Sequence, residues 1–341
     1  MRLTQVMLSK GFGGAERYFV DLSLALAARG HQVQVICHSK FMGLPLLEHP
    51  NITVCPIFFF ASWDPVGARK LERALRDFAP AVIHSHLARA AHVAGRAAHR
   101  LQIPLVVKTH NYVDLKYYRH VDHFITTTED QKRYLLEHRI GAEHISVIPN
   151  FSSMTPVTSP KAPNSARPVL VAYGRMVHKK GFDVLLQALQ QLRADGLHAR
   201  LILGGDGPEL PALRQQTEAL GMTSAVDFVG WVKTPGDLLD QADLFILPSR
   251  DEPFGIVVLE AMARGKMIVS TRTAGPVEIL DERTAWFAEI GDAASLSSAI
   301  RTACSQPENR AQAALARFND HYSEQAVVPR IEQLYQALAH D

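Results

Sequence analysis

Three stretches of this 341-residue sequence carry residue types suited to holding an anion and working beside it. In Gly11-Phe12-Gly13-Gly14-Ala15-Glu16, small residues let a backbone approach an anion. A helix starting there would add unpaired N–H groups and a positive dipole end. The dinucleotide fingerprint GxGxxG fails at this point, because Glu16 stands in the third glycine's place. In Gly174-Arg175 through Lys180-Gly181, a planar guanidinium and a mobile ammonium can converge on one multiply charged anion. The most specific stretch runs Glu252-Pro253-Phe254-Gly255-Ile256-Val257 and on to Glu260. From Gly255 to Glu260 a helix rises about 7.5 Å. A helix start holding a diphosphate would then carry a carboxylate further along, placed to accept ribose hydroxyls. Each stretch has a plainer reading (a tight turn, an exposed basic turn, helix-surface acids), and none decides alone.

The elements that must position these residues are legible in the hydrophobic pattern. Short apolar runs predict strands at 3–8, 32–37, 81–84, 104–109, 123–126 and 145–148. Helical periodicity fills 15–29, 66–78, 88–100 and 129–139. From residue 151 a Ser-, Thr- and Pro-rich stretch breaks the pattern, and 156–168 reads as a linker. The alternation then resumes, with strands at 169–173, 200–204, 225–229, 244–247 and 267–270 and helices at 181–194, 208–220 and 255–264. Strand–helix alternation of this kind means parallel sheets wrapped by helices. The expected organisation is an N-terminal domain at 1–155, a C-terminal domain at 169–320 and a C-terminal helix at 321–341 that crosses back to the first. All three clusters fall in loops after strands, where doubly wound folds bind ligands.

Composition excludes several classes. Charge is nearly balanced at +2 and 47% of residues are hydrophobic, so the chain is neither disordered nor low-complexity. Cys37, Cys55 and Cys304 form no CxxC pair, which is poor material for disulfides or zinc. No apolar run approaches the roughly 20 residues of a membrane span, and the first residues lack a signal's apolar core. The expected compartment is the cytoplasm. The balance hides an asymmetry: residues 1–160 hold 18 Lys/Arg against 12 Asp/Glu (+6), leaving −4 beyond. Arg69, Lys70, Arg73 and Arg76 follow Trp63 on one helical pattern. Arg89, His92, Arg96, His99 and Arg100 make a stripe on another, and Lys116-Tyr117-Tyr118-Arg119-His120 adds aromatic-basic character. Such a half could face an anionic membrane surface or simply be solvated. Nucleic acid is not expected, since no binding module accompanies the charge.

Taken together and in order, the clusters resemble family 4 retaining glycosyltransferases (glycosyl transferases group 1), which have the GT-B fold. The resemblance rests on Gly13-Gly14-Ala15-Glu16, Gly174-Arg175 with Lys180-Gly181, Gly205-Asp206-Gly207-Pro208 and the Glu252/Glu260 pair. His84-Ser85-His86, Ile148-Pro149-Asn150 and Ala274-Gly275-Pro276-Val277-Glu278 fall in the family's order too. It implies two Rossmann-like doubly wound α/β domains with a deep interdomain cleft. It also implies transfer of a sugar, with retention, from a UDP- or GDP-sugar to a saccharide or lipid-linked acceptor. By the same resemblance, His86, Glu252, Arg175 and Lys180 are the catalytic residues. Gly13, Gly14, Glu16, Gly205, Gly230, Trp231, Phe254, Gly255, Ile256, Val257 and Glu260 join Arg175 and Lys180 at the donor. His110, Asn111 and Asn150 lie on the acceptor side.

No DxD motif lies between the domains, so metal-independent hexosyl transfer with no cofactor is expected. The implied setting is lipopolysaccharide or surface-polysaccharide assembly, peripheral on the cytoplasmic face of the inner membrane. A GT-B-like nucleotide-sugar epimerase and a non-catalytic sugar-nucleotide scaffold are the alternatives. Three positions depart from the family's usual glycine, namely Asn111, Phe151 and Ala274.

Overall fold

The computed structural model of the protein describes residues 1–161, 167–305 and 310–340. The chain divides into two compact units, Met1–Phe151 with Glu324–Asp341, and Ser152–Ser323. The first unit holds β1 (Arg2–Met7), β2 (Gln32–His38), β3 (Ile52–Ile57), β4 (Val82–His86), β5 (Leu105–Lys108), β6 (His123–Thr126) and β7 (Ile145–Val147). They form one parallel sheet in the order β3-β2-β1-β4-β5-β6-β7. The second holds β8 (Val169–Tyr173), β9 (Arg200–Gly204), β10 (Val226–Gly230), β11 (Leu244–Leu247), β12 (Met267–Thr271) and β13 (Trp286–Ala288). These are parallel in the order β10-β9-β8-β11-β12-β13. Both sheets are doubly wound and Rossmann-like. Strand order reverses between β1 and β4 and between β8 and β11, where diverging connections leave a ligand crevice at the strand ends.

The central strands are covered on both faces: β4, β5, β11 and β12 are buried throughout, and each begins with an apolar run, although β4 ends on His84-Ser85-His86. β3 and β13, which the sequence pattern did not predict, are edge strands. β3 is only half-buried and contains Pro56, which an edge tolerates, and β13 has three residues.

The C-terminal helix, Glu324–His340, starts three residues later than expected. It belongs to the first unit, where Val327, Val328, Ile331 and Tyr335 are fully buried. Arg29 grips Glu332 through two bonds of 2.8 Å, and His31 Nε2 meets the same carboxylate at 2.8 Å. The N-terminal boundary also moves, because Ser152–Ser323 form one unit rather than a domain beginning at 169. Val157 N–H donates to Ala263 O (2.9 Å), so part of the expected linker is bonded to the second unit. The remainder of that linker, 162–166, lies outside the described residues. Among the described residues, no helix is long and apolar enough to cross a membrane.

Candidate active site

In the second unit the chemistry-bearing residues gather at the β8/β11 reversal. Lys180, on the loop after β8, pairs with Glu252, on the loop after β11, and both side chains are largely buried. Ser249 Oγ reaches the same Glu252 oxygen at 3.4 Å. Arg175 lies on the β8 loop, exposed, and its guanidinium makes no bond among the described residues. The helix Ile256–Ala263 begins beside them at Gly255. Its first amides, at Ile256 and Val257, have no carbonyl one turn back and so can serve an anion. Glu260, further along the helix and 8% exposed, accepts a 2.5 Å bond from Tyr173 Oη at the end of β8.

Glycines hold these loops together by letting backbone meet backbone. A Cβ on Gly205 would sit 1.9 Å from Gly174 O, one on Gly181 2.0 Å from Pro248 O, and one on Gly275 2.3 Å from Phe254 Cα. Gly205 (φ +133°) and Gly181 (φ +66°) also occupy backbone regions that favour glycine. Arg250 clamps the β8 and β11 loops with a two-pronged bond to Asp183 (2.7 Å each) and one to His178 O (3.0 Å). The sequence reading passed over Arg250, Asp183 and Tyr173. Their only signal was position at strand ends or in the first helical turn.

In the first unit His86 ends β4, at the other reversal, and is completely buried. Gln5 Nε2 donates to Tyr335 Oη (3.2 Å), which turns Gln5 Oε1 towards His86 Nε2–H (3.0 Å). His86 therefore presents a lone pair at Nδ1, to which His110 Nε2–H donates at 3.3 Å. Tyr335, already accepting from Gln5, donates its own proton to His84 Nδ1 (2.5 Å). Thus Gln5 and Tyr335, neither singled out by the sequence, set the tautomers of a histidine row. His84 and His110 stack on either side of His86 at 4.4 and 5.6 Å between ring centres. Lys108, wholly buried beneath, donates to Ile148 O (2.6 Å) and Pro149 O (3.2 Å). Its Nζ lies 4.9 Å from the centre of the Tyr18 ring, and burial, with Arg330 adding to it, pushes its pKa well below the usual lysine value. These bonds hold the segment leading to Asn150, which is 3% exposed.

Burial, above all, pushes the pKa of His84, His86 and His110 far below the usual imidazole value, and Lys108 lowers each further. An unfolded chain protonates these rings near pH 6.5, whereas the folded one does not. Protons therefore favour unfolding: the stability is fully present above pH 6.5 and is lost as pH falls towards 5. The loss is up to about 1.4 kcal/mol per pH unit for each histidine. Urea melts at pH 7.0, 6.0 and 5.0 should show this decline, and a flat profile would contradict the neutral row.

Two of the glycines expected at the donor have N–H groups bonded within the protein. Gly13 N–H donates to Glu16 Oε2 (3.0 Å), so Glu16 caps its own helix instead of reaching outward. Gly205 N–H donates to Gly230 O (2.6 Å), so both glycines join the β9 and β10 ends. Gly14 and Asn111 are exposed, and Trp231 is 53% exposed at the sheet's edge. Phe254 is buried in the core of the second unit, so its backbone, not its ring, shapes the loop. The departures from glycine are accommodated. Ala274 is exposed while Gly275 makes the close approach, and Phe151 packs edge-on to Tyr18 at 5.3 Å.

Two doubly wound parallel sheets, with a buried histidine row at one reversal and a cation and carboxylates on glycine-nested loops at the other, fit the class of GT-B glycosyltransferases. The chain belongs to the family 4, group 1 glycosyltransferases. The model "Glycosyltransferase Family 4" matches residues 12–152 and "Glycosyl transferases group 1" matches 158–317. Among curated relatives, the lipopolysaccharide core biosynthesis glycosyltransferase LpsD of Rhizobium meliloti (strain 1021) is 30% identical over 87% of each chain. LpsE of the same organism is 29% identical over 88% of each. The crystal structure of Anabaena Alr3699/HepE in complex with UDP superposes with a TM-score of 0.85 at 21% identity. It covers 99% of this chain and 100% of that one.

Proposed function

We propose that this glycosyltransferase moves a hexosyl group, with retention of configuration, from a UDP-sugar to a saccharide or lipid-linked acceptor. The observation that carries the reading is the meeting of Lys180, Glu252 and the Gly255 helix start at one strand reversal, with the uncommitted Arg175 on the same β8 loop. Cations and oriented amides there would stabilise the charge that grows on the departing diphosphate. They take the part a divalent metal plays elsewhere, so no metal or other cofactor is needed. The C1–O bond to the diphosphate breaks while the acceptor oxygen bonds C1 from the same face. The acceptor's proton passes to the departing phosphate oxygen. Glu260 receives the ribose, and Glu252 the donor sugar. UDP in the HepE complex supports uridine over guanosine.

The lipopolysaccharide core names of LpsD and LpsE support a setting in lipopolysaccharide or surface-polysaccharide assembly. Peripheral attachment at the cytoplasmic face of the inner membrane fits a patch in the first unit. Phe58, Phe60 and Trp63 are 52%, 74% and 69% exposed, next to the helix carrying Arg69, Lys70 and Arg73. Rings of this kind sit at a lipid interface while the bases meet anionic headgroups.

Incubation with a panel of UDP- and GDP-sugars and candidate saccharide acceptors tests the reaction. The expected result is free UDP and a glycoside of retained configuration, unchanged by EDTA. A new epimer without glycoside would favour the epimerase, and binding without turnover the scaffold.

A further inference from the structure

The two basic stretches that lie 20 residues apart in sequence close into one pocket in the first unit. Its volume is about 370 Å³, within the range of small-molecule sites. One wall is the helix Leu87–Leu101, presenting His92 and Arg96; the other is the segment carrying Lys116, Tyr117, Arg119 and His120. Gly95 permits the closure, since a Cβ there would stand 3.2 Å from His120 Cβ. Ring contacts fasten the walls: His99 stacks on His120 at 4.8 Å, and His92 meets Tyr117 edge-on at 6.0 Å.

The charge in this pocket is uncompensated. Lys116 is paired with Asp114, Glu72 is taken by Arg76 and Arg100, and Asp122 accepts from Leu105 N–H. Arg96 and Arg119, both exposed and on opposite walls, have no acidic partner among the described residues. Two guanidinium forks facing one cavity match the several acceptor oxygens of a phosphoryl group. The volume beyond that, floored by Ala91 and the Tyr117 ring, suits a sugar or glycerol body.

We propose that this pocket binds a phosphoryl group carried on a sugar- or glycerol-sized molecule, through Arg96 and Arg119. Arg96, Arg119 and His120 together lower the pKa of His92, after the larger effect of its burial, and an anion would relieve that mutual repulsion. The site is separate from the donor loops, which lie in the other unit. It therefore stands or falls independently of the proposed transfer reaction.

Calorimetric titration of the full chain with sn-glycerol 3-phosphate and glucose 6-phosphate, at constant ionic strength, tests it. R96A/R119A should bind about 10–100-fold more weakly than the wild type, the loss expected for charge-assisted bonds. R175A, altered in the donor loop, should bind as the wild type does. Both arginines are exposed, so melting temperatures should match; R119Q supplies a milder second variant. Flotation with phosphatidylcholine vesicles containing phosphatidic acid separates the sources. Capture lost in R96A/R119A identifies a lipid headgroup, while soluble binding without capture identifies a free phosphosugar. Absence of heat with either phosphate, or binding undiminished in R96A/R119A, would overturn the proposal.

Discussion

Lys180→Ala should lower kcat/KM for nucleotide-sugar turnover by about 10²–10³-fold, the range measured for removing one preorganised donor from developing negative charge. The expectation follows from where the ammonium sits. Lys180 is largely buried, next to a helix start, and its one bonded partner is the Glu252 carboxylate. Such a cation is already stripped of most of its water and needs little reorganisation as charge grows on the leaving diphosphate. Its removal acts twice, because Glu252, 9% exposed, is left without its counter-charge beside the incoming anion. Glu252→Gln in the Lys180→Ala background should therefore recover part of the affinity for UDP, although not the rate. Steady-state kinetics on the four proteins of this cycle check both statements. A Lys180→Ala enzyme within threefold of wild type would remove Lys180 from the machinery.

Gly205→Ala should destabilise the second unit by about 2–6 kcal/mol. That sum joins a strained backbone of about 1–3 kcal/mol to overpacking of similar size. The obstacle is the Gly174 carbonyl, 1.9 Å from the new Cβ, and it is backbone, so no side chain can swing away. Gly196→Ala is the control. Its φ of +87° is also positive, but a Cβ there meets nothing within 4 Å, so only strain of about 1–2 kcal/mol remains. Thermal melts of the two variants separate contact from conformation. Equal losses would mean that the nesting of the β8 and β9 loops contributes nothing.

Much of this fold is legible in the hydrophobic pattern alone. β8, β9, β11 and β6 have the bounds predicted for them, because a strand covered on both faces is apolar over much of its length. Edge strands escaped, since β3 faces solvent on part of its length and obeys no such rule. Motif order identified the family, and it marked Lys180, Glu252 and Glu260 before anything showed what each one touches. It did not show that Glu16 bonds the Gly13 N–H or that the Gly205 N–H bonds Gly230 O, since those partnerships depend on the folded loops.

The sequence by itself determined the two parallel sheets, the family and which loops follow the strands at their reversals. Periodicity and glycine spacing are local properties, written within a few residues. Only the tertiary structure decided partnership: Lys180 with Glu252, Tyr173 with Glu260, and Tyr335 with His84 across 251 positions. The order of the strands brings such residues together, and a hydrogen bond depends on distance in space, to which separation along the chain is no guide. The pocket between Arg96 and Arg119 has the same origin, since each arginine alone reads as an ordinary solvated base.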